Sequence, residues 1–190
     1  MISKPSAAEL LALGDIRGGV EQAMHEHGPG VYGLLRVLLR RKEDAAEEAF
    51  SLFAENLFKY AATYRGEGPL KAWVYALARN AAVTVSRDGW RKRGRRLETK
   101  EAERLAADVR TRTGVRRERQ ASVLERLRDT LDLDDQMLLA LRIDQKLPWE
   151  DVARVMSSDG VTVDAQAVRK RFERLKARLG DEVRRLGQPE

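Results

Sequence analysis

The chain has 190 residues, of which 43% are hydrophobic and 35% charged, and its formal net charge is +6. It contains no cysteine and two histidines, which excludes disulfide scaffolds, thiolate metal sites and cysteine nucleophiles. No apolar run approaches the roughly 18 residues that a membrane-spanning helix needs, and no signal-peptide pattern opens the chain, so we expect a cytoplasmic protein with no membrane partner.

The composition favours helices. Alanine and leucine supply 24 residues each, whereas β-branched and aromatic residues are sparse, and this balance favours helices over sheets. The apolar periodicity predicts an all-α fold with two small helical bundles, residues 14–88 and 122–182. A basic linker, residues 89–121, is predicted to join them, either without regular structure or partly helical.

The first bundle is predicted from three apolar stripes and two turns. Residues 1–13 predict a short helix or a loose leader, and the Gly-Pro-Gly sequence at 28–30 is a strong turn signal. Asp44 is placed to cap the next helix. Residues 65–69 predict a loop before a further helix over 70–87. The core positions at helical spacing are Val31, Leu34, Leu35, Leu38 and Leu39, then Phe50, Phe53, Leu57, Ala61 and Tyr64, then Trp73, Leu77, Ala81 and Val85.

The positive charge is concentrated in two segments. Residues 1–85 are neutral overall, residues 86–120 carry a net charge of +7, residues 121–166 carry −5 and residues 167–190 carry +4. Five basic side chains lie within residues 90–96 alone. Two separated basic segments indicate a polyanion held at two places, although a solvated linker has the same composition.

The second bundle is predicted to begin with two short apolar helices. Asp132 or Asp134 is placed to cap the second of them. Pro148 then opens another helix, 149–156, because proline is tolerated at a helix start. The predicted core positions of the first two helices are Val123, Leu124, Leu127, Leu131, Met137, Leu138 and Leu141.

The last predicted helix, 165–179, combines an apolar face with basic sides. Residues 157–160 break the preceding helix, and Asp164 is placed to cap this one. A short helix, a turn and a basic amphipathic helix are typical of a helix-turn-helix that binds DNA. The buried face is predicted to consist of Val168, Phe172, Leu175 and Leu179.

The other sides of this helix carry the candidate DNA contacts. Rotation of about 100° per residue places one group opposite the apolar face, toward base edges, and a second group beside it, toward phosphates. A solvated basic bundle helix is the alternative explanation. The base-edge group is Gln166, Lys170, Glu173, Arg174 and Ala177, and the phosphate group is Arg169, Arg171, Lys176 and Arg178.

Residues 64–80 are the most recognisable stretch. They run from Tyr64 through Arg-Gly-Glu-Gly-Pro into a W-x-Y-x-x-A-R-N helix that reaches Asn80. This run resembles region 2 of the extracytoplasmic-function group of sigma-70 family RNA polymerase sigma factors. The chain departs from the family at Ser51 and Leu52, where glutamine and glutamate are usual, and in a longer turn over 157–164. Further similar stretches are residues 28–35 and 44–50 in region 2, and residues 147–153 and 167–172 in region 4.

The resemblance implies a subunit that binds core RNA polymerase and recognises promoter DNA. The last helix would bind the −35 element, while the region 2 loop and helix would hold unstacked bases of the −10 element. An anti-sigma factor is a further partner that the family suggests. The implied −10 contacts are Tyr64, Arg65, Lys71, Tyr75, Arg79 and Asn80, and the implied polymerase contacts are Glu48, Ser51, Leu52 and Glu55.

Helical spacing divides the region 2 helix into two sides. Trp73 begins the apolar stripe and is predicted to be core. Tyr75, Arg79 and Ser86 lie on the other side and are predicted to be free for DNA. Asn80 has a second explanation, as an amide that bonds a neighbouring loop.

The residues favour other functions less. No glycine-rich phosphate loop is present, Glu67 lacks a neighbouring acid or base, and His25 and His27 point apart on a helix. We therefore expect neither an enzyme nor a cofactor, a metal site or a small-molecule substrate. A conventional helix-turn-helix transcriptional regulator is the main alternative, although the sequence has no heptad seam for a dimer and no separate sensor domain. An anti-sigma-like adaptor is a further alternative.

Overall fold

The computed structural model describes residues 5–40, 42–87, 100–114, 127, 130–157 and 161–186. These residues are mostly helical and form no β-strand, which confirms the predicted all-α fold. The chain divides into two compact units, Met1–Arg117 and Glu118–Glu190. Among the described helices, none is long and apolar enough to cross a membrane.

Helix α1, Ala7–Ala12, begins at a capping box. The Glu9 amide donates to Ser6 Oγ at 3.3 Å, and the Ser6 amide donates to Glu9 Oε2 at 2.6 Å, so two N–H groups at the helix start are satisfied. Leu11 is buried where α1 packs on the next helix, α2, Ile16–Leu38. The beginning of the described chain is therefore a short, capped helix.

The turn predicted at residues 28–30 is wrong, because α2 continues through it. Proline inside a helix costs about 3 kcal/mol, and the burial of α2 on both sides of Pro29 outweighs that cost. Gly28 serves close packing instead of a turn, since a Cβ here would lie 3.0 Å from Cγ2 of Val109 in a neighbouring helix. The buried side chains of α2 include Val20, Ala23, Met24, Val31, Tyr32, Leu34, Leu35 and Leu38.

Helix α3, Glu43–Tyr60, supplies most of the aromatic core. Tyr32 of α2 meets Phe50 edge-on with ring centroids 5.1 Å apart, and Phe53 lies 5.7 Å from Phe50. Asp44 does not cap this helix as predicted. It lies in the first turn, where its carboxylate faces the positive end of the helix dipole. The predicted stripe is confirmed at its buried members, Phe50, Phe53, Leu57 and Ala61.

A 3-10 turn, Ala61–Thr63, and a loop, 64–69, lead from α3 into α4, Leu70–Arg87. Gly66 has a φ of 72°, a backbone conformation that favours glycine. Pro69 directly precedes the helix, where its missing N–H leaves no helical hydrogen bond unmade. The predicted loop is confirmed.

Helix α5, Lys100–Gly114, lies within the predicted linker, for which the sequence left partial helicity open. It packs against α2 and α3 as part of the first unit. Its buried face consists of small side chains, which leave little hydrophobic periodicity for a sequence pattern to detect. The remainder of the predicted linker, 89–99 and 115–121, lies outside the described residues. The buried side chains of α5 are Ala102, Ala106 and Val109.

The second unit contains three helices in its described part. Helix α6, Leu133–Leu139, continues into a π-helical turn, Ala140–Asp144, and is followed by α7, Trp149–Met156, and α8, Ala165–Leu186. Helices α7 and α8 pack on each other, and α6 packs on both. Buried side chains of this unit include Leu127, Leu131, Met137, Leu138, Leu141, Val152 and Val155, while the predicted core residues Val123 and Leu124 lie outside the described residues.

The predicted helix starts of the second unit are confirmed. Of the two candidate caps for α6, Asp132 is the one used, because its Oδ1 accepts the Asp135 amide at 2.7 Å. Pro148 directly precedes α7. Asp164 Oδ1 accepts a backbone N–H of α8, that of Ala167, at 2.7 Å. The side chains of Asp132 and Asp164 thus satisfy N–H groups that a helix start leaves open.

Candidate nucleic-acid interface

The apolar face of α8 holds this helix against α7. Val168, Phe172 and Leu175 are buried as predicted, whereas Leu179 is half-buried. The Phe172 ring lies edge-on to Trp149, with centroids 5.3 Å apart. The Arg142 guanidinium covers the Trp149 ring at 4.7 Å from its centroid, so that ring is held from a second side.

The opposite side of α8 is open to solvent. Arg169, Lys170 and Arg174 form no ion pair with any residue that the structure describes. Lys176 lies 3.2 Å from Glu173, and both side chains are exposed, so this pair is weak and easily opened. The predicted contacts that are exposed on this helix are Gln166, Arg169, Lys170, Glu173, Arg174, Lys176, Ala177 and Arg178.

Two arginines predicted to reach phosphates are instead held by a carboxylate of α6. Arg171 Nε donates to Asp135 Oδ1 at 2.7 Å, and Arg178 Nη2 donates to Asp135 Oδ2 at 2.7 Å. Partial burial alone would lower the pKa of Arg171, but the hydrogen bond to Asp135 and the charges of the neighbouring aspartates outweigh it and raise the pKa. The sequence prediction assumed that these two guanidiniums are free to bind phosphate. In the structure, both donate hydrogen bonds to Asp135.

The turn between α7 and α8 is tied to the end of α7. Ser157 Oγ donates to the Ala153 carbonyl at 2.8 Å and accepts the Val163 amide at 3.1 Å. One hydroxyl thus joins both sides of the turn. Residues 158–160 lie outside the described residues.

In the first unit, Tyr64 closes the loop before α4. Its hydroxyl donates to the Gly68 carbonyl at 2.7 Å, and its ring lies 5.4 Å from that of Trp73. Burial of the half-exposed phenol raises its pKa. Arg65 and Glu67 are exposed on the same loop. The loop therefore presents an aromatic pair beside exposed charged side chains.

The sides of α4 differ from the prediction. Tyr75 and Arg79 were predicted to face solvent, and that prediction is wrong, since they are 1% and 8% exposed. Burial also raises the pKa of Tyr75. Ala81 and Val85 are buried as predicted, whereas Val74 and Ala78 take the places predicted for Trp73 and Leu77. The small alanine side chains let α2 and α3 approach α4 closely.

The outward side of α4 follows the tryptophan that was predicted to be core. Trp73 and Leu77 are half-buried, and Asn80 is exposed, at spacings of four and three residues that put them on one side. Lys71 is half-buried with its ammonium 6.0 Å from the Tyr75 ring. Ser86, which was grouped with Tyr75 and Arg79 in the sequence prediction, is exposed near the end of α4. Alternation between alanine and larger residues made both faces plausible in the sequence, and packing decides between them.

The predicted polymerase contacts lie along α3. Glu48 is exposed, and Leu52 and Glu55 are partly exposed beside it at helical spacing. Ser51 is committed elsewhere, because its Oγ accepts a hydrogen bond from Arg110 Nη1 of α5 at 3.0 Å. Three of the four predicted residues thus share an accessible strip of α3, and the fourth anchors α5.

Asp135 is the residue that the sequence prediction missed. Its signal is present, since Arg171 and Arg178 are seven residues apart and lie on one side of a helix. Nothing in the sequence, however, pairs that side with Asp135. Comparison of the chain with protein-family models, curated proteins and solved structures found no match.

Proposed function

We propose that the chain is an RNA polymerase sigma factor of the extracytoplasmic-function type, which binds core polymerase and directs initiation at specific promoters. The run from Tyr64 to Asn80 carries this proposal, because it resembles region 2 of that group and falls on a loop and an outward helix side. A partly exposed aromatic pair can stack an unstacked base, and Asn80 offers an amide about two turns further along the same side of α4.

The proposed −10 site is Tyr64, Trp73 and Asn80, with Arg65 and Lys71 toward the backbone of the strand. Tyr75 and Arg79 are left out of it, because they are buried. Extruding a base from the duplex costs a few kcal/mol, and stacking on an aromatic ring returns about 1–3 kcal/mol per base. Binding energy for single-stranded DNA would thereby open the promoter, without covalent chemistry by this chain.

The proposed −35 site is the solvent side of α8, with α7, the turn and α8 acting as a helix-turn-helix. Lys170 and Arg174 offer donors to base edges, and Arg169 offers a donor to phosphate. Their support is exposure together with the absence of ion pairs among the described residues. The small exposed side chain of Ala177 allows close approach to the DNA.

The proposed polymerase contact is the strip of α3 formed by Glu48, Leu52 and Glu55. A partly exposed leucine between two carboxylates provides an apolar anchor with a charged rim. Ser51 is left out of this set, because its Oγ accepts a hydrogen bond from Arg110 of α5.

A transcription experiment tests the proposal. The full chain is mixed with core polymerase from the organism that encodes it, and the 5′ ends of transcripts made from fragmented genomic DNA are mapped. We expect co-purification with the core enzyme and start sites that share an upstream sequence. Binding to specific DNA without any association with core polymerase would instead identify a conventional transcriptional regulator. No binding to either would refute the proposal.

A further inference from the structure

We infer that Asp135 is a positioning residue for the DNA-facing side of α8, and that Arg171 and Arg178 bind this carboxylate instead of phosphate. The inference rests on the proposed function and changes which basic residues of α8 are assigned to DNA.

The geometry uses both oxygens of one carboxylate. Asp135 Oδ1 accepts from Arg171 Nε, and Oδ2 accepts from Arg178 Nη2, each at 2.7 Å. Asp135 is 6% exposed, so its carboxylate is held away from water and is satisfied by these two charge-assisted hydrogen bonds. The two guanidiniums remain partly exposed on their solvent side. The two arginines are about 10 Å apart along α8, at 1.5 Å per residue. A single fixed point that two side chains reach from positions about two turns apart opposes both sliding and rotation of the helix.

Neighbouring aspartates strengthen the attachment of Arg171. Asp132 Oδ1, which caps α6, lies 3.4 Å from Arg171 Nη2, and Asp134 Oδ2 lies 4.0 Å from Arg171 Nη1. All three nitrogens of this guanidinium therefore face carboxylates. Much of its positive charge is compensated inside the unit, which leaves little for a phosphate.

Rotation of α8 determines which side chains face the DNA. Neighbouring residues of a helix differ by about 100°, so Lys170 and Arg174 face the groove only while Arg171 stays on the α6 side. The buried apolar face restricts rotation as well, but hydrophobic contact is non-directional. The carboxylate adds direction, and direction is what base readout needs.

Charge alone predicts the opposite effect of removing Asp135. Loss of an acidic side chain makes the protein more positive and, by itself, raises affinity for any DNA. A positioning role predicts weaker binding to the correct promoter despite the added charge. The two explanations thus differ in sign for specific DNA.

The experiment compares D135N with E150Q in the full chain bound to core polymerase. The probes are a promoter recovered from the genomic transcription experiment and the same fragment with its −35 element scrambled. Both variants remove one negative charge from the second unit, but Glu150 is exposed on α7 and does not contact Arg171 or Arg178. D135E keeps the carboxylate. We expect D135N to reduce the promoter-to-scrambled affinity ratio by about tenfold, with E150Q near wild type and D135E between the two.

A second measurement covers the case in which D135N does not fold. The slope of log affinity against log salt is measured for the free chain on a scrambled duplex. R169Q should lower this slope by about 0.9, the loss expected for one phosphate contact, and R178Q should leave it unchanged. An equal ratio for D135N and E150Q, or a fall of the slope in R178Q, overturns the inference. A wild-type holoenzyme that does not distinguish the two fragments refutes the proposed function and the inference together.

Discussion

Tyr75 illustrates at the scale of one residue how packing removes a side chain from the candidate surface. The ring is 1% exposed in the core of the first unit, and we expect Tyr75→Ala to lower the free energy of unfolding by about 3–5 kcal/mol, because it leaves a cavity of aromatic size. Chemical denaturation of the full chain measures this loss.

Tyr60 provides the matched control for Tyr75, since it is 39% exposed. Tyr60→Ala should change the unfolding free energy by less than about 1 kcal/mol. A Tyr75→Ala protein of unchanged stability that fails to open promoters would return Tyr75 to the DNA contacts and contradict the burial argument.

His27 predicts a pH dependence of the first unit. Burial is the main cause that lowers its pKa, the nearby charge of Lys71 acts in the same direction, and Glu26 opposes them. The unfolded chain therefore takes up a proton at about pH 6.5, while the folded chain still holds a neutral imidazole. Stability must fall as the pH decreases through about 6.5, and it levels off below the lowered pKa of the folded state.

Unfolding free energies between pH 7.5 and pH 5.5 check this prediction. His27→Gln should remove part of the decrease, because glutamine does not titrate. His25 is exposed two residues away, so His25→Gln serves as the control and should retain the full decrease. The prediction fails if the two variants lose stability in parallel with the wild type.

At the scale of the element, two of the five glycines of α2, Gly28 and Gly33, have very different surroundings. A Cβ on Gly28 would lie 3.0 Å from Val109 of α5, whereas no described atom lies within 4 Å of a Cβ on Gly33. Glycine to alanine within a helix is worth about 0.5–1 kcal/mol of stability where space allows. We expect Gly33→Ala to gain that amount and Gly28→Ala to gain less.

Hydrogen exchange distinguishes the two glycine substitutions further. If the close approach of Gly28 to Val109 holds α5 against α2, Gly28→Ala should speed hydrogen exchange of the backbone amides in Lys100–Gly114. Gly33→Ala should not. Equal stabilisation by both substitutions, with equal protection of α5, would show that Val109 moves aside without loss.

At the scale of the whole molecule, the proposed function divides promoter recognition between the two units. Arg174→Ala, in the second unit, should weaken binding to a promoter by about 1–3 kcal/mol if the side chain binds a base. Asn80→Ala, in the first unit, should reduce opening of the −10 element while sparing polymerase binding. Filter binding and permanganate reactivity of unpaired thymines measure the two effects separately.

The separation of the two defects can be tested directly. A loss of affinity by Arg174→Ala that is equal on scrambled DNA would reassign Arg174 to phosphate. Unchanged permanganate reactivity in Asn80→Ala would remove Asn80 from the −10 site. Because the substitutions lie in different compact units, the binding losses of the double variant should be additive within about 0.5 kcal/mol.

Net charge is a poor guide to the proposed sites across the whole chain. The +6 excess lies in residues 86–120 and 167–190, whereas residues 1–85, which hold the proposed −10 site, are neutral. Even within α8, the guanidiniums of Arg171 and Arg178 both contact the carboxylate of Asp135. Stacking and helix rotation, which charge counts do not register, carry the proposed specificity.

Large apolar residues at regular spacing made several elements predictable. The stripe of Phe50, Phe53 and Leu57 in α3 and that of Val168, Phe172 and Leu175 in α8 are buried as the spacing predicts. The caps Asp132 and Asp164 and the loop at residues 65–69 were also predictable, since each depends on the chemistry of a few neighbouring residues. The cap predicted at Asp44 and the turn predicted at residues 28–30 were wrong. These features are decided locally.

The remaining features depend on which neighbour packs against a helix. The orientation of α4 depends on alanines, which mark no face by their size, and the continuity of α2 opposes the local preference of Pro29. The composition of α5 favours a helix, since alanine is the strongest helix former, but its packing on α2 and α3 does not follow from its composition. The pairing of Asp135 with Arg171 joins residues 36 positions apart. The sequence by itself thus determined the helical class and the faces marked by large side chains. Only tertiary contact decided the faces built from small residues and the ion pairs that orient α8, because their energies arise between elements and not within them.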